Sequence, residues 1–390
     1  MIKAGVGYSR SRSTALAIEK ACRMALEEGR ISKANFGFVF STIDHCKDPR
    51  PLLTTVRQLT GAQSLAGASG FGVFTNNMEA EKTGGLAVLL VESDTITPSS
   101  FIFPNLQENN LEAGKKIGRL LKNKAQRDSL LTLFPDPLSL FSESMFEGIE
   151  QEMGTVPIIG GNAGEDGTRR MTFQWNEENS GCDSVAGMFL TGEFSSLTAI
   201  TQSCVPMGEP MKVTKVKDNV IYELNDKPAL DVLLEILAEL RIEDLESASA
   251  YVFIGIPVCE GENGKVNYLV RNILGMEVQA RGLVIGATLR EGDYLFFALR
   301  EPGLSKKDLE EMLQEIKPEV EKQKPRFGFY FNCCARGSAL YGGLDVDRLT
   351  IREKLGDIPL IGFFTYGEIA PIGNRNYIHN FTGVLTLIGD

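Results

Sequence analysis

The 390-residue chain is 43% hydrophobic and 23% charged, an ordinary globular composition, and its length favours two domains over a single core. A net charge of −11 argues against a broad basic surface for nucleic acid, and no apolar run is long enough to span a membrane. Seven scattered cysteines favour reduced thiols in a cytoplasmic protein. The chain has two histidines and no Cys-x-x-Cys pair, so it lacks the ligands for a zinc site of the usual spacing.

The first 29 residues predict a strand and a helix rather than a targeting peptide. They carry several glutamates and lack a compact apolar segment with a cleavage site. Ser13 is placed to cap the helix, and Gly29 is suited to end it in a left-handed conformation.

A repeated pattern then follows near both ends of the chain. In the first copy, the strand "FGFVFST" precedes a helix over 51–60, the segment "SLAGASGFGVFTN" and the strand "GGLAVLLVES". In the second copy, the strand "FGFYFN" precedes a helix over 346–355, the segment "PLIGFFTYGEIAP" and the strand "FTGVLTLIG". Gly67 aligns with Gly362 and Gly72 with Gly367. This duplication predicts two halves related by a pseudo-twofold axis.

The middle of the chain predicts further strands and two amphipathic helices. The helices cover 226–240, with Asp226 as N-cap, and 305–318, ending at Pro318. "GGNAGEDG" (160–167) lacks the Lys-Ser/Thr of a phosphate loop and predicts a hairpin turn. We place the domain boundary in the turn-rich stretch near residue 205, which gives domains 1–205 and 206–390.

These elements predict an α/β protein. It would be built from duplicated strand–helix–strand–hairpin units, with mixed β-sheets flanked by helices. An α–β–β–α layered arrangement is one way to bury strands that are so uniformly apolar.

Polar side chains gather where the strands of the second copy end, the usual place for ligands in such folds. Arg336 could hold a carboxylate or phosphate, and Gly337 and Gly367 would let backbone N–H groups approach it. The first copy has no arginine at the matching strand end. The predicted ligand site therefore comprises Asn332, Cys333, Arg336, Gly337, Thr365, Gly367, Glu368, His379 and Asn380.

Plainer interpretations of the same residues stay open. The thiols of Cys333 and Cys334 could serve only as small buried apolar groups, and Arg336 and Glu368 could simply pair at a strand end. A cysteine hydrolase is the enzymatic alternative. In it Cys333 would be the nucleophile and His379 the base, with Glu368 or Asn380 as the orienting group.

"NCCARG", "LIGFFTYGEIAP" and "HNFTGVLTL" resemble the C-terminal signature of FIST-domain proteins. "LAGASGFGV" and "PIIGGNAGEDG" resemble their N-terminal domain, so that the resemblance covers nearly the whole chain. It implies a non-catalytic, cytoplasmic sensory protein that binds a small polar ligand, an amino acid or small carboxylate. Output would pass through a separate partner such as a histidine kinase or cyclic-dinucleotide enzyme. The resemblance also places Asn332, Cys333, Arg336, Gly337, Gly367, Glu368 and His379 around the site.

No cofactor is expected, with haem as the alternative because some family members bind it and respond to nitric oxide. His379 would be the axial ligand, and His45 or Cys333 a further candidate. A Cys-x-x-Cys-His attachment motif is absent from the sequence.

Overall fold

The computed structural model describes residues 1–46, 48–82, 84–140, 142–242, 248–260 and 266–390. Packing divides the chain into two compact units, residues 1–201 with 309–390, and residues 202–308. The predicted boundary near residue 205 divides the sequence into two consecutive domains, which is a different division from these packing units, and it stays a prediction. None of the helices in the described ranges is both long and apolar enough to cross a bilayer.

In its described part, the larger unit contains three six-stranded mixed sheets. The first has the order β1 (Ile2–Ser9), β6 (Leu86–Ser93), β2 (Phe36–Thr42), β3 (Ser64–Gly70), β10 (Gln174–Asn176) and β11 (Ser180–Gly181). The second has the order β7 (Ile96–Pro104), β12 (Ser184–Gly192), β8 (Asp128–Pro135), β9 (Ile158–Gly161), β24 (Glu368–Ile372) and β25 (Arg375–His379). The third has the order β13 (Ser195–Gln202), β26 (Thr382–Gly389), β22 (Phe327–Cys333), β23 (Leu360–Thr365), β4 (Gly72–Thr75) and β5 (Met78–Glu81).

The same connectivity occurs in all three described sheets. In the first two sheets one chain segment supplies the first four strands, whereas in the third β13 precedes the smaller unit and the other three strands follow it. The last two strands of each sheet form a hairpin from another segment. The central pairs β2/β3, β8/β9 and β22/β23 are parallel. The expected two copies about a twofold axis are therefore corrected to three. The predicted copies are the first and third, and 96–192 is the one between them.

A glycine at the same register position in each segment lets the strands of each parallel pair approach closely. A Cβ on Gly67, Gly160 or Gly362 would lie 1.8, 2.0 or 1.8 Å from a backbone oxygen of the neighbouring strand, those of Val39, Leu133 and Tyr330 respectively. The predicted alignment of Gly67 with Gly362 thus has a packing reason, and Gly160 is its unrecognised third member.

The three sheets face a common aromatic core. Phe40 of the first sheet lies 5.1 Å from Phe134 of the second and 4.7 Å from Phe363 of the third, measured between ring centroids. Full burial of such rings contributes about 2–3 kcal/mol each. The uniform burial of the central strands explains their nearly continuous apolar sequences.

Helices cover the outer face of each sheet. Apolar side chains of α1 (Thr14–Gly29) and α2 (Pro49–Thr60) pack on the first sheet, and those of α3 (Asn110–Leu121) and α4 (Ser144–Met153) on the second. Residues 309–320 of α6 (Pro302–Gln323), together with α8 (Val346–Leu355), pack on the third. A short helix, α7 (Ser338–Tyr341), precedes α8. The mixed α/β class is confirmed, with three sheets rather than two between the helical layers.

The smaller unit, 202–308, is a sheet with one described helix, α5 (Ala229–Glu239), packed on it. Its strands run in the order β18 (Val266–Arg271), β17 (Val252–Glu260), β21 (Tyr294–Arg300), β14 (Cys204–Lys217), β15 (Val220–Leu224), β20 (Gly282–Ile285) and β19 (Ile273–Glu277), with β16 (Lys227–Pro228) beside β15.

Several predicted helix ends differ from the structure. Helix α1 ends at Gly29, and the residue after it, Arg30, takes the left-handed conformation expected for Gly29. Helix α5 begins after Pro228 rather than Asp226. Helix α6 continues past Pro318, because its buried apolar stripe extends to Val320 and offsets the backbone hydrogen bond that proline cannot make.

Candidate functional site

Three chain turns are hydrogen-bonded to one another where the parallel strand pairs end. The backbone N–H of Gly164 donates to Ser69 at 2.8 Å, that of Phe71 to Phe364 at 3.0 Å, and that of Tyr366 to Asn162 at 3.2 Å. These positions are equivalent in the three segments, so the bonds close a ring that we call the axial ring. "GGNAGEDG" is therefore not a hairpin turn, because it leads from β9 of the second sheet to β10 of the first.

Strand β22 directs the predicted site residues to two opposite faces. Side chains alternate along a strand, so Phe329 and Phe331 face the aromatic core, and Cys333 follows on the same face of the strand. Tyr330 and Asn332 face outward, toward α8. The structure therefore separates the predicted residues into an outer cluster, around Arg336, and an inner cluster, around Glu368.

The outer cluster is centred on a buried ion pair. Arg336 donates through Nη2 to Oδ1 of Asp347 at 3.0 Å and through Nε to Oδ2 at 3.1 Å, and both side chains are almost fully buried. Burial by itself would lower the pKa of Arg336, but the Asp347 carboxylate together with Tyr330 and Tyr341 outweighs this effect, and the pKa is raised. The guanidinium is thus directed at a protein carboxylate rather than at an open strand end.

Asp347 collects further donors and completes the outer cluster. It accepts hydrogen bonds from Tyr330 Oη at 2.8 Å, Tyr341 Oη at 2.9 Å and Asn332 Nδ2 at 3.2 Å. It lies in the first turn of α8, where the helix dipole favours a negative charge. The helix was predicted, but no role was assigned to Asp347. Its position in that first turn was the only available signal.

A hairpin from the first segment brings two more carboxylates to the outer cluster. Glu81 accepts from the backbone N–H and the hydroxyl of Ser338, at 2.9 and 2.8 Å. Glu79 accepts from the backbone N–H of Asp345 at 2.5 Å. A Cβ on Gly337, where φ is +54°, would lie 2.3 Å from Oε1 of Glu81. The absent side chain of Gly337 therefore makes room for Glu81.

Two buried oxygens flank Asp347 without a donor among the residues that the structure describes. They are Oδ1 of Asn332 and Oε1 of Glu79. The amide orientation of Asn332 is fixed by its bond to Asp347, which can only accept, so Oδ1 points away from that carboxylate. An unpaired buried acceptor costs about 1–3 kcal/mol, and such a group calls for an explanation.

Burial, followed by the nearby Asp347 charge, raises the pKa of Glu79 to about 8. The unfolded carboxyl titrates near 4.5, so between these values the folded state binds more protons and its stability falls as pH rises. We expect Glu79→Gln to remove this dependence. The unfolding free energy of Glu79→Gln, minus that of the wild type, should increase by up to about 1.4 kcal/mol for each pH unit from pH 5.5 to 7.5. Urea unfolding at several pH values measures this, with Glu353→Gln as the exposed control. Parallel curves for wild type and Glu79→Gln would contradict the assignment.

The inner cluster holds Glu368 against the end of the core. Its carboxyl accepts from the hydroxyl of Thr365, and from the N–H and hydroxyl of Thr382 at 3.1 and 2.7 Å. Burial, followed by the neighbouring Cys333, raises the pKa of Glu368 well above its usual range. Gly367, where φ is +145°, provides the sharp turn between Thr365 and Glu368. The group is a buried acid that favours its neutral form.

His379 and Asn380 lie at the end of the hairpin that carries Glu368. His379 is opposite Glu368 in the strand register, is 1% exposed, and donates through Nε2 to the Ala370 carbonyl at 3.1 Å. Asn380 is partly buried in the following turn. Asn162 of the axial ring lies beside Gly367, a neighbour that the sequence did not reveal.

Neither haem nor thiolate chemistry fits these placements. His379 is enclosed, and its Nε2 is already directed at a carbonyl oxygen. His45, in the 3₁₀ turn Ile43–His45, is 2% exposed, with Nδ1 3.0 Å from the hydroxyl of Thr14. The hydrogen bond to Cys334, followed by burial, raises the pKa of Cys333 well above its usual range, which disfavours a nucleophilic thiolate. Among the residues described, no cluster of three or more His, Cys, Asp or Glu side chains is arranged to hold a metal.

Two protein-family models match consecutive parts of the chain. Residues 35–227 match the FIST N domain and residues 229–371 match the FIST C domain. The chain belongs to the FIST family, whose domains are sensory domains that bind small ligands.

Two mycobacterial relatives span essentially the same length as this chain. An uncharacterized protein of Mycobacterium tuberculosis is 28% identical over 100% of both chains, and one of Mycobacterium bovis is 25% identical over 100% of this chain and 99% of its own. An uncharacterized protein of Methanocaldococcus jannaschii is 23% identical over 94% of this chain and 77% of its own.

Two solved structures show only a distant likeness. A chorismatase covers 100% of this chain and 99% of its own, at 7% identity and a TM-score of 0.37. A cyanuric acid hydrolase from A. caulinodans covers 48% of this chain and 70% of its own, at 10% identity and a TM-score of 0.27.

Proposed function

We propose that this chain is a non-catalytic, cytoplasmic sensory protein that binds a small polar ligand carrying an amino group, such as an amino acid. The observation that carries the proposal is the pair of buried acceptors beside Asp347. Oδ1 of Asn332 and Oε1 of Glu79 have no donor among the described residues. An ammonium group offers three donors to these oxygens, and its positive charge would favour loss of the proton that Glu79, with its pKa raised to about 8, otherwise holds at neutral pH.

The charge balance of the outer cluster supports the same ligand chemistry. Arg336 faces Asp347, while Glu79 and Glu81 add acidic groups from β5. A small carboxylate, the other ligand class expected from the sequence, would meet three buried carboxyl groups and a guanidinium that already has a counterion. An amino group would be favoured there, and the ligand's own carboxylate would have to lie elsewhere.

Binding would be transmitted by the connection between α7 and α8. Tyr341, the last residue of α7, contacts Asp347 of the outer cluster, and Asp345, within the connection, contacts Glu79. Ligand binding would favour one arrangement of the connection over another and so change the surface offered to a partner. That partner would be a separate signalling protein, such as a histidine kinase or a cyclic-dinucleotide enzyme.

Thermal-shift and calorimetric measurements with amino acids, simple primary amines and small carboxylates test the proposal. We expect compounds with an amino group to raise the Tm and carboxylates without one to leave it unchanged. Asn332→Ser should weaken binding about tenfold or more, since it removes a hydrogen bond to a charged group. Asn162→Ser is the matched control at the inner cluster and should bind normally. Equal binding by Asn332→Ser, or equal binding of simple carboxylates, would contradict the site.

A further inference from the structure

We propose that Asp44 and His45, in the 3₁₀ turn that follows β2, form an exchangeable binding site for a divalent transition-metal ion such as Zn²⁺. This site shares no residue with the outer cluster and does not depend on the ligand there. His45 is 2% exposed, and its Nε2 has no hydrogen-bond partner in the part of the chain that the structure describes. A buried ring nitrogen without a partner calls for an explanation.

The ring of His45 is oriented through its other nitrogen. Nδ1 lies 3.0 Å from Oγ1 of Thr14, the first residue of α1. In the tautomer whose Nδ1–H donates to this hydroxyl oxygen, Nε2 keeps its lone pair and faces away from the helix. A histidine that binds a metal almost always donates its second N–H to a fixed acceptor, which sets the ring orientation and the tautomer. The contact with Thr14 therefore presents Nε2 as a metal ligand.

A space without a side chain lies in front of Nε2. A Cβ on Gly84 would lie 3.7 Å from Nε2 of His45 and 3.7 Å from Oδ2 of Asp44, and it would meet no other described atom within 4 Å, its chain neighbours aside. The imidazole nitrogen and the carboxylate oxygen thus border the same small space. Asp44 is exposed, so its carboxylate can rotate toward the nitrogen. The enclosure that excludes haem from His45 is no barrier to a single ion that enters past Asp44.

Backbone hydrogen bonds hold the two sides of this space together. The N–H of Thr42 donates to the Gly85 carbonyl at 2.9 Å, and the N–H of Gly85 donates to Oγ1 of Thr42 at 3.0 Å. Asp44 and His45 follow Thr42 directly in the turn, and Gly84 directly precedes Gly85. The two ligands are therefore fixed beside Gly84 before any ion binds.

The donor set suits an ion of the zinc type. Imidazole nitrogen and carboxylate oxygen bind Zn²⁺ at about 2.0–2.2 Å, and one ion would satisfy the nitrogen and the carboxylate together. The adjacent thiol is directed elsewhere, since Sγ of Cys46 lies 3.0 Å from Oγ of Ser41 and 3.4 Å from the Thr42 carbonyl oxygen. Two protein ligands are fewer than the three or four of a resident zinc site, so water completes the coordination. The site would fill and empty with the free metal concentration.

Zinc titration of the purified full chain tests the proposal, followed by calorimetry and by nuclear magnetic resonance of the histidine ring nitrogens. The sequence contains two histidines, so His379 serves as the internal comparison. We expect Zn²⁺ to shift the Nε2 resonance of His45 and to leave the resonances of His379 unchanged. An unchanged His45 resonance, whether Zn²⁺ binds only at thiols or not at all, would overturn the proposal.

Three variants locate the site. His45→Gln and Asp44→Asn should each weaken Zn²⁺ binding about tenfold or more, since even the loss of a group behind a ligand costs about 10–100-fold. Gly84→Ala adds a methyl group that makes only ordinary contacts, at a residue without a positive φ, so the fold is retained while the space for the ion is filled. Glu19→Gln, an exposed acid on α1, is the control and should bind Zn²⁺ normally. Wild-type affinity in both Asp44→Asn and Gly84→Ala would rule out this site.

Discussion

Asp347→Asn is expected to lower the free energy of unfolding by about 3–5 kcal/mol, the range for removing one partner of a buried ion pair. The variant keeps the shape of the side chain but leaves the buried Arg336 guanidinium without its counterion. One of its oxygens becomes an amide N–H that faces donors, since Tyr330, Tyr341 and Arg336 all donate to this carboxylate. Urea unfolding monitored by circular dichroism measures the loss.

The matched control lies on the same helix. Glu353 is exposed, 3.7 Å from Lys354, so Glu353→Gln should change stability by less than about 0.5 kcal/mol. A double-mutant cycle with Arg336→Met separates the ion pair from the other contacts of Asp347, and the double variant should cost less than the two single losses added together. A loss below about 1 kcal/mol for Asp347→Asn would show that Arg336 is not held as the structure indicates.

Gly362→Ala is expected to destabilise the protein by about 3 kcal/mol or more, because the added Cβ would lie 1.8 Å from the Tyr330 carbonyl oxygen. Backbone atoms of a central strand cannot move aside as a flexible side chain can. Gly67→Ala and Gly160→Ala should have comparable effects, since their contacts, 1.8 and 2.0 Å, are with the equivalent strands. Thermal unfolding of the three variants tests the threefold equivalence directly.

Gly343→Ala is the control for this series. A Cβ there meets nothing within 4 Å, and the backbone has no positive φ, so the substitution should be neutral or stabilising by up to about 1 kcal/mol. If Gly160→Ala were tolerated as well as Gly343→Ala, the second segment would not pack as the other two do.

The candidate site shows why residue types alone could not define it. Arg336 and Glu368 were both identified from their positions near strand ends, but β22 and the turn after it direct them to different clusters. Asp347 is fourteen positions beyond Cys333 (347 − 333) and reaches the sheet only because α8 packs on its outer face. Side-chain direction in a turn depends on the whole backbone path, which local patterns do not specify.

The second repeated segment likewise could not be recognised from residue types alone. Its central strand, Asp128–Pro135, lacks the Phe-Gly-Phe pattern of the first and third, and "GGNAGEDG" resembled a local turn. The sequence of its parallel pair does retain the glycine of the close approach, at Gly160. A backbone path can be kept by very different side chains provided that the closest contacts are preserved.

The sequence by itself determined the mixed α/β class, the apolar central strands, two of the three repeated segments and the family. These depend on hydrophobic period, glycine spacing and motifs, which are local properties of the chain. Tertiary structure decided the third segment, the axial ring and the pairing of Arg336 with Asp347. Each of these depends on which distant backbone segments meet and on the face to which a side chain points, and burial then selects the partner of every charge.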